Sequence, residues 1–79
     1  MSLRIIPVIV AAGVGNRSDP MQIEGTQIAV REATASFSIS IDGGYPLGPI
    51  ERGDKLKVKY QGFQLVNLTA AALTVLLAV

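Results

Sequence analysis

The stretch from residue 35 to residue 44 constrains the fold most, because apolar and polar residues alternate strictly along it. Phe37, Ile39 and Ile41 are separated by serines. A strand sends successive side chains to opposite faces, so this pattern predicts a strand with one buried face and one solvent-exposed face. The residues that follow, Asp42–Gly44, tolerate the positive φ that a tight reversal needs. The remaining segments are expected to be strands that pack around this one.

Patterns of the same kind recur along the chain and predict an all-β domain over residues 1–79. Turn signals come about every 8–12 residues, a spacing typical of a small antiparallel β-sandwich or barrel, here jelly-roll-like and of six to seven short strands. The other predicted strands are Leu3–Ala12, Thr26–Glu32, Tyr45–Ile50, Lys55–Tyr60, Phe63–Leu68 and Leu73–Val79. The core expected on one side of the sheet consists of Phe37, Ile39, Ile41, Leu56, Val58 and Phe63.

Residues 63–79 are compatible with three structures. Ala70–Leu73 has high helix propensity, and the whole run reaches the lower length limit of a membrane helix. Polar residues such as Asn67 and Thr74 interrupt the run, however, and no charged flank follows it. The pattern favours a hairpin with its turn near Thr69–Ala71 and Leu73–Val79 as the second strand.

The first predicted strand, Leu3–Ala12, is apolar on both faces. Pro7 cannot donate to a ladder, which places it on an edge, at a bulge or against a partner chain. An apolar edge strand attracts other chains unless something covers it. The same residues resemble a short signal peptide, but its removal would delete a strand, so we favour the strand.

Composition also points to association with other chains. The chain has 79 residues, 49% of them hydrophobic and only 16% charged. A domain of this size has a marginal core and usually needs disulfides, a metal or a partner. The chain has no Cys and no His, so we expect no disulfide, metal or cofactor and a homo-oligomer instead. The predicted subunit interface consists of Ile5, Ile6, Val8, Val10, Leu76 and Val79.

Three motifs are better explained by structure than by chemistry. Residues 8–17 resemble the glycine loop of sugar-phosphate nucleotidyltransferases, but that loop needs a helix after it, and Asp19-Pro20 follows instead. Asp42 and Asp54 lie in Gly-containing turns, where Asp bonds local backbone N–H groups. Lys55–Lys59 presents a basic row that is expected to be solvated or to face an acidic partner chain.

The chemistry of the whole chain argues against an enzyme. Without His and Cys, the commonest general base and the usual catalytic triads are missing. The net charge of +1 is too small to steer the chain toward nucleic acid or an acidic membrane, so neither is expected as a partner.

From Phe37 to Val79 the chain reads FSISIDGG, then a Pro- and Gly-rich apolar stretch, IERGDKL, and GFQLVNLTAAALTVLLAV. This pattern resembles the small β-sandwich virion proteins of bacteriophages. The resemblance implies a structural, capsid-associated subunit, such as a decoration or cement, vertex or neck protein. Its location would be the virion, assembled in the host cytoplasm, and its partners other virion proteins and copies of itself. The alternative is a receptor- or carbohydrate-binding module of a phage fibre. Sugar sites favour exposed aromatic residues, and the chain has no Trp and only Tyr45 and Tyr60 as tyrosines.

Overall fold

The protein is an antiparallel β-sandwich of seven strands in two sheets, as a computed structural model that describes residues 4–79 shows. The strands are β1 (Ile5–Val10), β2 (Ile28–Ala33), β3 (Phe37–Ile41), β4 (Leu47–Ile50), β5 (Lys55–Leu56), β6 (Phe63–Asn67) and β7 (Leu73–Ala78). The all-β prediction is therefore confirmed. Leu3, the first residue of the predicted N-terminal strand, lies outside the described residues.

One sheet has the strand order β1-β7-β2-β5, and the other has the order β4-β3-β6. Their inner faces enclose the core. Buried and more exposed side chains alternate along most of β1 and β7, whereas β3 and β6 are largely buried on both faces. Phe37, Ile39 and Phe63 are buried as predicted, while Ile41, Leu56 and Val58 are partly buried and pack against the core. The largest fully buried side chains are Tyr60, Phe37, Ile28, Ile39, Leu65, Leu73 and Leu77.

The face of β3 that was expected to be exposed to solvent is buried. Ser38 and Ser40 are 8% and 1% exposed. After the turn the chain returns beside β3 as β4, and Ser40 Oγ donates a hydrogen bond to the carbonyl of Gly44 at 2.7 Å. A Cβ at Gly48 would lie 2.9 Å from Ser38 Oγ, so β4 can approach this closely only with glycine there. Small polar side chains at Ser38 and Ser40 therefore serve close packing.

The C-terminal strand exists as predicted, but it does not form a hairpin with the strand before it. β7 lies between β1 and β2, whereas β6 belongs to the other sheet. The segment 68–72 consequently crosses from one sheet to the other. The predicted hairpin is wrong because both arrangements bury the same alternate residues, Leu73, Val75 and Leu77, and periodicity alone does not select the strand partner.

The position of Pro7 follows from the register of β1. Arg4 and Val79 exchange both backbone hydrogen bonds, at 3.0 and 2.9 Å, and Ile5 then faces Ala78. Bonded and non-bonded pairs alternate along an antiparallel ladder, so Pro7 occupies a non-bonded position opposite Leu76. The N–H group that proline lacks would have pointed away from β7, so Pro7 removes no hydrogen bond between β1 and β7. β1 is the edge strand that the sequence predicted as one option for Pro7.

The long connection between β1 and β2 covers the outer edge of β6. Met21 and Phe63 exchange backbone hydrogen bonds at 2.8 and 3.1 Å, and Gly25 and Tyr60 do the same at 3.0 and 2.9 Å. Ser18 donates its backbone N–H to the Leu65 carbonyl at 2.9 Å. The segment was predicted as a loop, and it is irregular, but it serves the three-stranded sheet as an additional bonded edge.

Asn67, at the end of β6, is completely buried and ties three segments together. Its Nδ2 donates to the carbonyls of Ala11 at 3.0 Å and Ala71 at 2.8 Å, and its Oδ1 accepts from the Thr69 N–H at 2.8 Å. Its backbone also exchanges bonds with the β1–β2 connection, from Gly15 N–H and to the Asn16 carbonyl, both at 2.7 Å. The side chain thus fixes the end of β1 and the crossing between the sheets in one place.

Replacing Phe37 by Ala should destabilise the fold by about 3–5 kcal/mol, because a large buried aromatic side chain leaves a cavity. Chemical denaturation monitored by circular dichroism measures this difference. The Leu68→Ala variant is the control, since Leu68 is 41% exposed. Equal shifts of the two unfolding midpoints would show that Phe37 is not in the core.

Replacing Asn67 by Leu should cost about 2–4 kcal/mol, although both side chains have the same branched shape, because buried carbonyls and an N–H group lose their partners. Asn16→Ala provides the control: Asn16 lies in the β1–β2 connection beside Asn67 but is exposed, and its Nδ2 donates to the Ala12 carbonyl at 2.7 Å. Urea titrations of the wild type and both variants measure the free energies of unfolding. A cost at Asn67 no larger than that at Asn16 would contradict the role assigned to Asn67.

Candidate functional site

The predicted interface residues do not share one environment. Val8 and Val10 are 2% and 1% exposed, so their side chains belong to the chain's own core and are not available to a partner. Ile6 and Val79 are partly buried and pack against that core. Ile5 is 51% exposed, and Leu76 is half-buried. Of the six residues, only Ile5 and Leu76 therefore face outward on the four-stranded sheet.

The exposed apolar residues of this sheet form a patch, here called the outer apolar patch, that consists of Ile5, Pro7, Ile9 and Leu76. Ile9 is 72% exposed, and Pro7 is also exposed. Leu76 lies directly opposite Pro7 on β7, with Glu32 of β2 on its other side. The sequence analysis missed Ile9 and Pro7 as outward residues. The sequence signal for them is the period of two within β1, which places the odd-numbered residues on the face of the strand opposite to that of Val8 and Val10.

A second surface feature is an open cavity of about 650 Å³, at the end of the three-stranded sheet where β3 ends and β6 begins. Three connections contribute to it: the β1–β2 segment through Met21 and Gln22, the β3–β4 turn through Asp42, and the β5–β6 segment through Gln61. Phe63, the first residue of β6, also lines it. Connections at one end of a sandwich commonly form binding surfaces, because the sheets position them rigidly.

Asp42 is held rigidly at the rim of this cavity. Its Oδ1 accepts hydrogen bonds from the backbone N–H groups of Gln61 at 2.9 Å and Gly62 at 2.8 Å. Its own N–H donates to the Gly62 carbonyl at 3.0 Å. The sequence predicted local turn bonds for Asp42, and here the structure differs, because the partners are distant in sequence. Asp54 does follow the prediction: its Oδ2 accepts from the nearby Glu51 N–H at 2.9 Å.

The glycine loop that resembles a nucleotide-binding motif is a structural loop. No helix follows it in the described chain, and the next residues run along β6. Gly15 has φ of 90°, a region that favours glycine, and its N–H donates to the Asn67 carbonyl. That N–H group is consequently engaged within the fold.

The lysine row is exposed as predicted. Lys55, Lys57 and Lys59 all point to solvent, while Leu56, Val58 and Tyr60 point inward. Only Lys55 belongs to the regular strand β5, since pairing with β2 ends at Leu56. Within residues 4–79 the single ion pair joins Arg52 and Glu32 at 3.3 Å, and it is exposed.

The two tyrosines differ completely in exposure. Tyr45 is 92% exposed, whereas Tyr60 is 1% exposed and packs edge-on against Phe63 with 5.5 Å between ring centroids. The Tyr60 hydroxyl donates to the Gln27 carbonyl at 3.0 Å. Burial raises the pKa of Tyr60 above its usual value of 10.0. Only Tyr45 is therefore accessible as an aromatic contact for a ligand or partner.

Residues 4–79 contain no group of three or more His, Cys, Asp or Glu residues that could hold a metal ion, and no helix among them is long and apolar enough to cross a membrane. No protein-family model, curated protein or solved structure matches the chain.

The burial of Tyr60 predicts a specific loss of stability at alkaline pH. A raised pKa in the folded state means that stability is fully present below the unfolded pKa of about 10 and is lost as the pH rises through the folded value. The free energy of unfolding should fall less steeply above pH about 10 in Tyr60→Phe than in the wild type. Tyr45→Phe is the matched control and should keep the wild-type slope, because Tyr45 is exposed in both states.

At neutral pH, Tyr60→Phe should cost about 0.5–1.5 kcal/mol, since the Gln27 carbonyl loses its hydroxyl partner. Urea denaturation at a series of pH values gives both quantities. Parallel pH profiles for Tyr60→Phe and Tyr45→Phe would contradict the buried environment of Tyr60.

Proposed function

We propose that this protein is a non-enzymatic structural subunit that associates with other protein chains through the outer apolar patch. The specific form that we propose is a capsid-associated bacteriophage virion protein of the decoration or cement, vertex or neck type. The resemblance of residues 37–79 to small β-sandwich virion proteins supports this specific form. The proposed partners are other virion proteins and further copies of the chain.

The observation that carries the proposal is the exposure of β1. Ile5 and Ile9 are 51% and 72% exposed and stand on the same face of an edge strand, with Pro7 between them. Single exposed apolar residues are common on monomers, but a contiguous row beside a half-buried Leu76 is typical of an interaction surface. Complete burial of an exposed isoleucine contributes roughly 1.5–3 kcal/mol, and each of these two side chains would contribute less than that, because each is already partly covered.

The geometry favours contact through the face of the sheet over addition of a strand at its edge. Pro7 presents no N–H to an incoming strand, and its ring occupies the space where the ladder would continue. Neighbouring residues Ile5 and Ile9 turn their backbone groups to the same edge, but Pro7 separates them. A partner that packs flat on the patch buries all four side chains and requires no backbone pairing.

A second candidate function is the receptor- or carbohydrate-binding module of a phage fibre. The exposed ring of Tyr45 and the cavity beside Asp42 favour it, because binding modules present polar groups in concave sites. Tyr60 does not contribute, since its ring is buried.

Placing a lysine at Ile9 or Ile5 should weaken self-association or binding to virion proteins by about tenfold or more, because apolar burial is lost and a charge is desolvated. Folding should be retained, since both side chains are exposed. Light scattering over a range of protein concentrations, alone and with purified virion proteins, measures the effect.

Two controls separate the patch from general damage. Leu47→Lys places the same charge at a residue that is 48% exposed on the other sheet and should leave association unchanged. Val8→Lys buries a charge in the core and should unfold the protein. A wild-type protein that is monomeric at high concentration, melts independently of concentration and binds no virion protein would refute the proposed function.

A further inference from the structure

Asp42 combines three properties that are not shared by another residue among those described. It is the one non-glycine residue with positive φ, at 49°, between residues 4 and 79. Its carboxylate is oriented by two backbone N–H groups, and it lines the cavity of about 650 Å³. The positive φ is what the tight turn requires; the observation that points to a ligand is the oriented carboxylate at a concave surface of ligand-binding size.

We propose that this cavity binds a neutral polyhydroxylated ligand, a saccharide unit, with Asp42 Oδ2 as the principal acceptor for a ligand hydroxyl; this inference deepens the second candidate function and rests on it, not on association through the outer apolar patch. Oδ1 is occupied by the N–H groups of Gln61 and Gly62, whereas no donor within residues 4–79 reaches Oδ2. A charged acceptor forms hydrogen bonds roughly twice as strong as a neutral one, so Oδ2 would supply the strongest polar contact.

The remaining polar groups of the cavity match hydroxyl groups. Gln22 and Gln61 are exposed, and each amide offers donors and an acceptor. Ser40 is excluded as a ligand contact, because it is 1% exposed and its Oγ donates to the Gly44 carbonyl. Gln64 is excluded from this role, because its amide already bonds the Ser18 carbonyl and Arg17. A sugar hydroxyl both donates and accepts, which is the property that such a mixed lining requires.

Other ligand classes fit less well. No lysine or arginine lines the cavity, so an anion would meet the Asp42 carboxylate without compensation. A metal ion would find a single carboxylate there, too few oxygen ligands for Ca²⁺ or Mg²⁺ without further acidic residues. Apolar side chains, Met21 and Phe63, supply only part of the lining, and Phe63 is 3% exposed. A polar uncharged ligand remains the best match.

A purely structural role for Asp42 would account for the Oδ1 bonds alone. Those bonds join the β3–β4 turn to the residues just before β6. They involve neither Oδ2 nor the side chains of the concave surface. The proposal is also independent of assembly, since no residue of the outer apolar patch lines this cavity.

The test is a titration of the ¹⁵N-labelled full chain with glucose, galactose, mannose and N-acetylglucosamine, each up to about 50 mM, well above a millimolar Kd. At least one sugar should produce saturable shifts at the N–H groups of Gly43, Gln61 and Gly62. The Asp42→Asn variant should bind it about tenfold more weakly, because a charged acceptor is lost. Asn tolerates positive φ and keeps Oδ1 for the two backbone donors, so the fold is expected to survive.

Asp54→Asn is the matched control, because it removes a turn carboxylate remote from the cavity, and it should leave the affinity unchanged. If Asp42→Asn does not fold, Gln22→Ala serves instead, since Gln22 is exposed and should weaken binding about threefold or more. The absence of shifts with all four sugars overturns the proposal. Shifts that are unaffected by the cavity variants, or saturable binding of tetramethylammonium in place of sugars, overturn it as well.

Discussion

The buried amide of Asn67 is the interaction on which the rest of the sandwich depends. The chain has neither Cys nor His, so no disulfide or zinc can fix the crossings between its two sheets. Asn67 does this with hydrogen bonds to Ala11, Thr69 and Ala71, at 3.0, 2.8 and 2.8 Å. Both segments that cross between the sheets near this point are thereby held by one side chain. Because every polar atom of the amide has a partner, its burial orders the structure and leaves no unpaired polar group to oppose folding.

The four edge strands of the two sheets determine whether another chain can add a strand to this fold. Pro7 interrupts the edge of β1, and β5 is a two-residue strand that begins with Lys55. Pro49 lies in the edge strand β4, and residues 15–25 bond to the edge of β6. Proline, lysine, short length and coverage are the means by which β proteins prevent strand addition. An apolar surface on such a molecule is therefore available mainly to a partner that packs on its face, which is the mode of contact proposed for the outer apolar patch.

Much of the fold could be predicted from the sequence, since period-two alternation reports burial directly. The strands around Phe37, Ile28 and Leu73 were expected and are present. Three features could not be derived in this way. Val8 and Val10 could not be separated from Ile5 and Ile9, because β1 is apolar at both sets of positions. The partner of β7 depends on long-range register, which a local pattern does not contain. Ser38 and Ser40 are buried where the returning chain approaches β3 closely, at Gly44 and Gly48, and serine is compatible with either a solvent-exposed or a closely packed face.

The candidate sites also combine features that a local sequence pattern contains with features that depend on the whole fold. The alternation within β1 contained the information that Ile9 faces outward, but its use required knowing that Val8 faces the core. The cavity beside Asp42 was inaccessible to sequence reasoning, because Met21, Asp42 and Gln61 come from three connections that only the finished sandwich brings together. The Asp-Gly-Gly turn had indicated a residue that tolerates positive φ. What the fold adds is the pair of backbone donors at Gln61 and Gly62, which hold one carboxylate oxygen of a residue that lines the cavity and leave the other without a bond to the described chain. A turn residue thereby becomes a positioned acceptor, at a place that association through the outer apolar patch would leave open.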